Sequence, residues 1–339
     1  MLLSATTLAS GFLAACGPAP DEPSSGPPAG TSPGDVAISG SSTVAPITAF
    51  VADEFNFNGS PASVVVDDPG TGDGMAALCA GEIDIAPASR TAKPEELEAC
   101  AAAGIELIEL EIALDGITVL TSAANDEVDC LAFADLYALL GPESDGVDRW
   151  DDAQELAGQL GSSTELPAAD LAVTAPGQES GTYDAFVELA LADLADERGV
   201  EAAMRTDYSS QSDDNAIIAG IEGSEHSLGF VGFAFASGAG GGVQALPVDG
   251  GDGCVTPSAE TIADGSYPIS RSLYVYVDAA AARERPAVAE YVDYLLEDIS
   301  LDALVTEAGY VPLPADRMAA TRARWADRTT VTTLSEVVF

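Results

Sequence analysis

Positive charge is nearly absent from this sequence. One lysine, Lys93, and eleven arginines face 56 acidic residues, and the net charge is −44 over 339 residues. A broad nucleic-acid footprint and attraction to anionic lipid both need clustered positive charge, so the composition argues against both. Histidine is limited to His226, and the cysteine spacings fit no zinc pattern, so no metal site is expected. No run of eighteen apolar residues occurs, which argues against a membrane-spanning helix in the mature chain. What is present in quantity is apolar surface. At 47% apolar and 20% charged, the chain can bury a large core and is not globally disordered. Acidic groups of one sign repel one another in dilute buffer and are screened over only ~3 Å at 1 M salt. The balance therefore suits either a halophilic habitat or an ordinary acidic secreted protein.

The first residues read as an export signal. Leu2 to Ala15 is short and apolar, too short to span a bilayer, and closes with Leu13-Ala14-Ala15-Cys16-Gly17. This looks like a lipobox, in which Cys16 carries the lipid. Residues 1–16 are thus expected to be a lipoprotein signal segment and 17–34, rich in Pro, Gly and Ser, a flexible tether. Such a protein is extracytoplasmic, on the outer face of the cytoplasmic membrane or in the periplasm, and touches the membrane only through Cys16. Four cysteines remain, Cys79, Cys100, Cys130 and Cys254, an even count that favours disulfides outside the cytosol. Three pairings are possible, with free buried thiols as the alternative. Cys79–Cys100 with Cys130–Cys254 is favoured, because the first closes a short helix-to-helix loop and leaves the second to link distant segments.

The body alternates short apolar strands with helices. Strands are expected at 36–39, 63–66, 83–86, 105–110, 117–121, 171–174, 229–236 and 273–277. Helices are expected near 46–55, 75–80, 94–103, 131–140, 153–160, 183–198, 216–221, 288–297 and 301–308. This alternation implies an α/β fold with parallel strands. Three strand-to-helix turns share one design: residues 38–46, 68–75 and 176–183 each place Gly and Ser or Thr where a strand ends and a helix begins. A helix start leaves N–H groups without internal partners and favours negative charge, and Ser or Thr adds a rotatable donor. Converged on one point, such turns can hold a small oxyanion without bulk positive charge. A hydrolytic reading of Ser180 with His226 lacks the G-x-S-x-G context, so no enzyme and no cofactor is expected.

The turns recur in a longer set: ISGSSTVAPI (38–47), PGTGDGMAALCAGEIDIAPASR (69–90), LDGITVL (114–120), ESGTYDAF (179–186), DDNAIIAGI (213–221), LGFVGFAFA (228–236), YPISRSLYVYV (267–277) and GYVPLP (309–314). In this order, over roughly residues 35 to 315, the chain resembles the PstS-type phosphate-binding proteins of bacterial ABC transporters. The resemblance implies a two-lobed periplasmic-binding-protein type II fold with the ligand in the inter-lobe cleft. Lobe 1 would take 35–116 and 264–339, and lobe 2 would take 117–263. It implies capture of inorganic phosphate by a monomer and delivery to ABC permease subunits. Another tetrahedral oxyanion, such as sulfate, molybdate or a phosphonate, is the alternative ligand, and a phosphatase-like hydrolase a more distant one. The phosphate-binding residues implied are Ser41, Ser42, Thr43, Thr71, Gly72, Ser89, Arg90, Ser180, Gly181 and Thr182. The family places an Arg upstream of the SGT turn, where this chain has Pro176-Gly177-Gln178, and an Asp where this chain has Arg90. Arg90 is therefore expected to supply the cation. A carboxylate must then accept the proton of phosphate from elsewhere, with Asp115 first and Glu179 and Asp214 behind it.

Overall fold

A computed structural model describes residues 34–57, 62–178, 180–297, 305–306 and 309–331. The expected signal segment with Cys16, the tether up to residue 33, Glu179 and most of the helix expected at 301–308 lie outside the described residues. Among the described residues, no helix is long and apolar enough to cross a membrane.

The first elements are β1 (Val36–Ser39), α1 (Ala45–Phe57), β2 (Val64–Asp67), α2 (Thr71–Cys79), β3 (Ile85–Ala88) and α3 (Pro94–Ala103). Pro94 opens α3 at a position that needs no N–H, and Gly104 closes it in the left-handed region at φ 77°. A 16-residue strand, β4 (Leu107–Ser122), follows. Next come β5 (Leu131–Ala132), α4 (Phe133–Leu140), a 3₁₀ turn at Trp150–Ala153, α5 (Gln154–Gln159), β6 (Ala172–Pro176) and α6 (Gly181–Phe186). A π-turn at Val187–Leu191 leads into α7 (Ala192–Arg198), β7 (Ser209–Gln211), α8 (Asp214–Glu222), β8 (Ser227–Gly232) and α9 (Phe233–Gly238). Then come β9 (Val243–Ala245), β10 (Val248–Asp249), β11 (Cys254–Val255), α10 (Ala259–Ala263), β12 (Ser270–Asp278), α11 (Ala279–Glu284), α12 (Pro286–Leu295) and α13 (Ala315–Asp327).

The main sheet runs β2-β1-β3-β12-β4-β8-β6-β7, with β9 also on β4, and a small sheet runs β11-β10-β5. Two parallel blocks, β2-β1-β3 and β8-β6-β7, flank the antiparallel pair β12-β4. The sheet is therefore mixed, and the expectation of parallel strands holds only within each block. The two strands expected around Asp115-Gly116 are one continuous strand. Up to Gly116, β4 pairs with β12, and from Ile117 it pairs with β8 and then β9. One strand thus belongs to both halves of the molecule, and its apolar run is buried almost throughout because both halves cover it. The apolar strand expected at 229–236 stops at Gly232 and continues as α9. The run Leu228–Ala236 carries both, which hydrophobicity alone does not separate.

Cys79–Cys100 ties α2 to α3, and Cys130–Cys254 ties the approach to β5 to β11, as the favoured pairing has it. The bridges close separations of 21 and 124 residues. In the loop-entropy account the longer closure stabilises more, by about 1.5 kcal/mol between the two. A Cys130→Ser/Cys254→Ser double variant should therefore lose more stability in urea unfolding than Cys79→Ser/Cys100→Ser. Equal losses would show that local packing outweighs chain entropy at these bridges.

Candidate functional site

The loops after β1, β2 and β3 meet at the carboxyl ends of three neighbouring parallel strands, where open α/β sheets place their ligands. Two glycines allow this approach. A Cβ on Gly40 would lie 2.2 Å from the Pro87 carbonyl oxygen, and one on Gly74 would lie 2.4 Å from the Ser39 oxygen and 2.5 Å from the Gly40 Cα. The loops are knitted by backbone bonds from Ser41 N to Pro87 O at 2.9 Å and from Gly70 N to Gly40 O at 2.8 Å. Thr71 opens α2 and accepts the Ser89 N–H on its Oγ1 at 3.2 Å, with the Ser89 Oγ also at 3.2 Å. Ser41, Thr43 and Ser89 are buried, while Gly72 faces open space.

The fourth turn comes from the other half. Ser180 caps α6 by accepting the Thr182 N–H on its Oγ at 3.2 Å. Gly181 stands against loop one: a Cβ there would lie 3.2 Å from the Thr43 Cα. Ser42 Oγ donates to Asp184 across this junction at 3.3 Å. A hollow of about 400 Å³ opens beside it, lined by Ser42, Ala45, Pro46, Asp68 and Gly181 among others. Thr43 and the SGT turn therefore meet at one junction between the halves, and Thr71 and Ser89 bond to each other on the loops knitted to loop one. A slightly larger cavity, about 460 Å³, lies along β12 and is lined by Arg271 as well as by Glu111, Ser272 and Arg317, the last of which bridges Glu111 and Ser272.

The cation at the junction is Arg271, which sequence reasoning missed. Its Nη2 donates to Thr43 Oγ1 at 3.0 Å, its Nη1 donates to Glu188, and its Nε lies 3.4 Å from Asp115 Oδ2. Arg271 and Asp115 are cross-strand partners on β12 and β4, and both side chains are almost wholly buried, at 8% and 6% exposure. Nε and Oδ2 do not meet in hydrogen-bond geometry, and each lacks a hydrogen-bond partner among the described residues. Burial raises the Asp115 carboxyl above the usual range, and Arg271 pulls it only part of the way back. Tyr310 closes the region by donating to the Thr43 carbonyl at 2.5 Å. Burial pushes its phenol up, the charges of Asp115 and Asp214 add to that, and Arg271 offsets part of it.

Arg90, expected to supply the cation, is engaged by a carboxylate of its own half. Its two terminal nitrogens grip Glu96 in a bidentate pair at 2.9 and 2.8 Å, and Nη1 also donates to the Thr91 carbonyl. Glu96 in turn accepts the Lys93 N–H at 2.7 Å, so the guanidinium belongs to the start of α3. The Glu96 carboxyl is held below its usual range because these bonds outweigh the cost of its burial. The signal for Arg271 was present as a lone cation opening the apolar run SRSLYVYV (270–277). Its pairing with a residue 156 positions earlier needed the sheet register.

A two-lobed α/β fold crossed by a shared strand, with a polar junction between its halves, defines the periplasmic-binding-protein class. A family profile described as a PBP superfamily domain matches residues 25–298. Protein SphX of Synechocystis sp. is 35% identical over 283 residues, covering 83% of this chain and 79% of its own. The phosphate-binding protein PstS of Staphylococcus aureus is 30% identical over 282 residues, with the same coverages. A crystal structure of a possible phosphate binding protein from Planctomyces limnophilus superposes with a TM-score of 0.78 at 32% identity, over 87% of this chain and 99% of that one. The chain belongs to the PstS-type branch of the periplasmic-binding-protein superfamily.

Proposed function

We propose that the protein captures inorganic phosphate between its halves and delivers it to the permease of an ABC transporter, without making or breaking a bond. The observation that carries this is the buried pair of unpartnered atoms, the Arg271 Nε donor beside the Asp115 Oδ2 acceptor. An oxyanion that keeps a proton satisfies both at once. Its P–O⁻ accepts from Nε, and its P–OH donates to Oδ2. Sulfate is fully ionised near neutral pH and offers nothing to Oδ2. Ser41, Ser42, Thr43, Thr71, Ser89, Ser180, Gly181 and Thr182 supply hydroxyl and backbone donors around that pair, aided by the helix starts behind them. Asp115 remains the acceptor in this reading, Gly72 keeps loop two open, and Arg271 takes the place expected for Arg90. The lobes divide near 35–116 with 264–339 against 117–263, with β4 running through both. Lipid attachment at Cys16 would hold the protein outside the membrane, next to its permease. The names of the S. aureus and P. limnophilus relatives support phosphate as the ligand.

Calorimetry on protein stripped of phosphate tests the reading. Phosphate should bind one to one, sulfate and molybdate should compete poorly, and a chromogenic phosphate ester should not turn over. The surplus of negative charge repels the anion over a distance that salt shortens, whereas contacts inside the cleft are screened much less. Binding should therefore tighten as chloride is raised from a few millimolar toward molar. Absent phosphate heat, or sulfate binding of equal strength, would overturn the proposal.

A further inference from the structure

Arg271 is engaged on three sides, and one of its partners differs from the other two. Asp115 and Thr43 are buried. Glu188 is half exposed, at 50%, and reaches Arg271 from the opposite half of the molecule. It rides on the π-turn Val187–Leu191 between α6 and α7. Such an inserted turn re-aims side chains and is frequent at functional sites. One turn earlier on the same helical run, Asp184 accepts from Ser42 of loop one. Two carboxylates from one half thus hold Ser42 Oγ, a donor that the proposed function assigns to phosphate, and Nη1 of the Arg271 guanidinium, whose Nε it assigns there.

A carboxylate presents the same kind of acceptor oxygens as phosphate. We infer that Glu188, assisted by Asp184, is an internal stand-in for the anion: it holds Arg271 and ties the halves together while the cleft is empty, and phosphate must displace it to bind. The charges require the exchange. Arg271 already faces two carboxylates, Asp115 and Glu188, and a third anion beside both would be strongly repelled. The half-exposed Glu188 loses little by turning into water. Glu188 therefore sets affinity by competition, and the inference rests on the phosphate reading of this site.

The test is calorimetric titration of phosphate into the wild type, Glu188→Gln and Glu201→Gln. Glu201 is exposed, so its substitution removes the same charge at a surface position. Glu188→Gln should bind phosphate roughly threefold to tenfold more tightly than the wild type. Glu201→Gln should match the wild type. Small-angle scattering without phosphate should show Glu188→Gln more open, because its tie between the halves is weakened. Wild-type binding with no gain in Glu188→Gln, or an equal gain in Glu201→Gln, overturns the inference alone. A wild type that binds no phosphate overturns the site reading and this inference with it.

Discussion

Arg271→Gln should reduce phosphate affinity by roughly 10²- to 10³-fold in calorimetry, while Arg90→Gln should leave it within a few-fold of the wild type. The two arginines differ in what surrounds them. Arg271 is buried beside Asp115 and Thr43 at the junction of four turns, and its removal leaves Asp115 buried without the counter-charge that faces it. Losing one member of a buried charged pair costs several kcal/mol, much of it from the partner left behind. Arg90 is committed to Glu96 and the start of α3. Its loss should lower thermal stability modestly and leave the junction intact. Circular dichroism and a melting curve for each variant separate lost binding from lost folding. The reverse result, with Arg90→Gln inactive and Arg271→Gln normal, would return the ligand role to Arg90.

Asp115→Asn should erase most of the preference for phosphate over sulfate. A site built to accept a hydrogen bond from its ligand discriminates by orders of magnitude against an analogue that lacks the donor, because the buried acceptor is left unpaired. An amide can turn its NH₂ toward an ionised oxygen, so sulfate should gain while phosphate loses, and the ratio should fall by roughly 10³-fold. The wild type should show a related effect on acidification. Burial raises the Asp115 carboxyl above its ordinary value of 3.8, so it takes up a proton earlier than an exposed aspartate as pH falls. The acceptor then becomes a donor, and selectivity against sulfate declines. The stability of the empty protein moves the other way. Between 3.8 and the raised value the folded state holds a proton that the unfolded state lacks. Asp115 therefore favours folding more as pH falls through that window, and this contribution is lost as pH rises above it. Asp115→Asn should flatten that slope in urea unfolding followed across pH. A ratio unchanged by the substitution would place the proton acceptor elsewhere, with Asp214 the next residue to substitute.

Most of the local structure was legible because it is local. The strand at Val36–Ser39 and the helix at Pro94–Ala103 carry their own signals in β-branched residues, a first-turn proline and a terminal glycine. The three Gly/Ser/Thr turns were legible for the same reason, since a strand end followed by a helix start needs those residues. Boundaries failed where two states share one composition. Phe233–Ala236 is as apolar as the strand before it and is helical. The helix expected from Tyr183 to Arg198 is interrupted by a π-turn that no residue in it announces.

By itself the sequence determined the α/β class and most of the local elements, because each follows from residues close together in the chain. The tertiary structure decided which charges meet. Arg271 faces Asp115 because β12 runs antiparallel to β4 in one register, and a slip of one residue would turn Arg271 to the other face. Arg90 is held by Glu96, six residues on, which accepts from both its terminal nitrogens at the start of α3. Charges pair with whatever folding brings within a few ångströms, and that distance is set by strand register and helix docking rather than by separation along the chain.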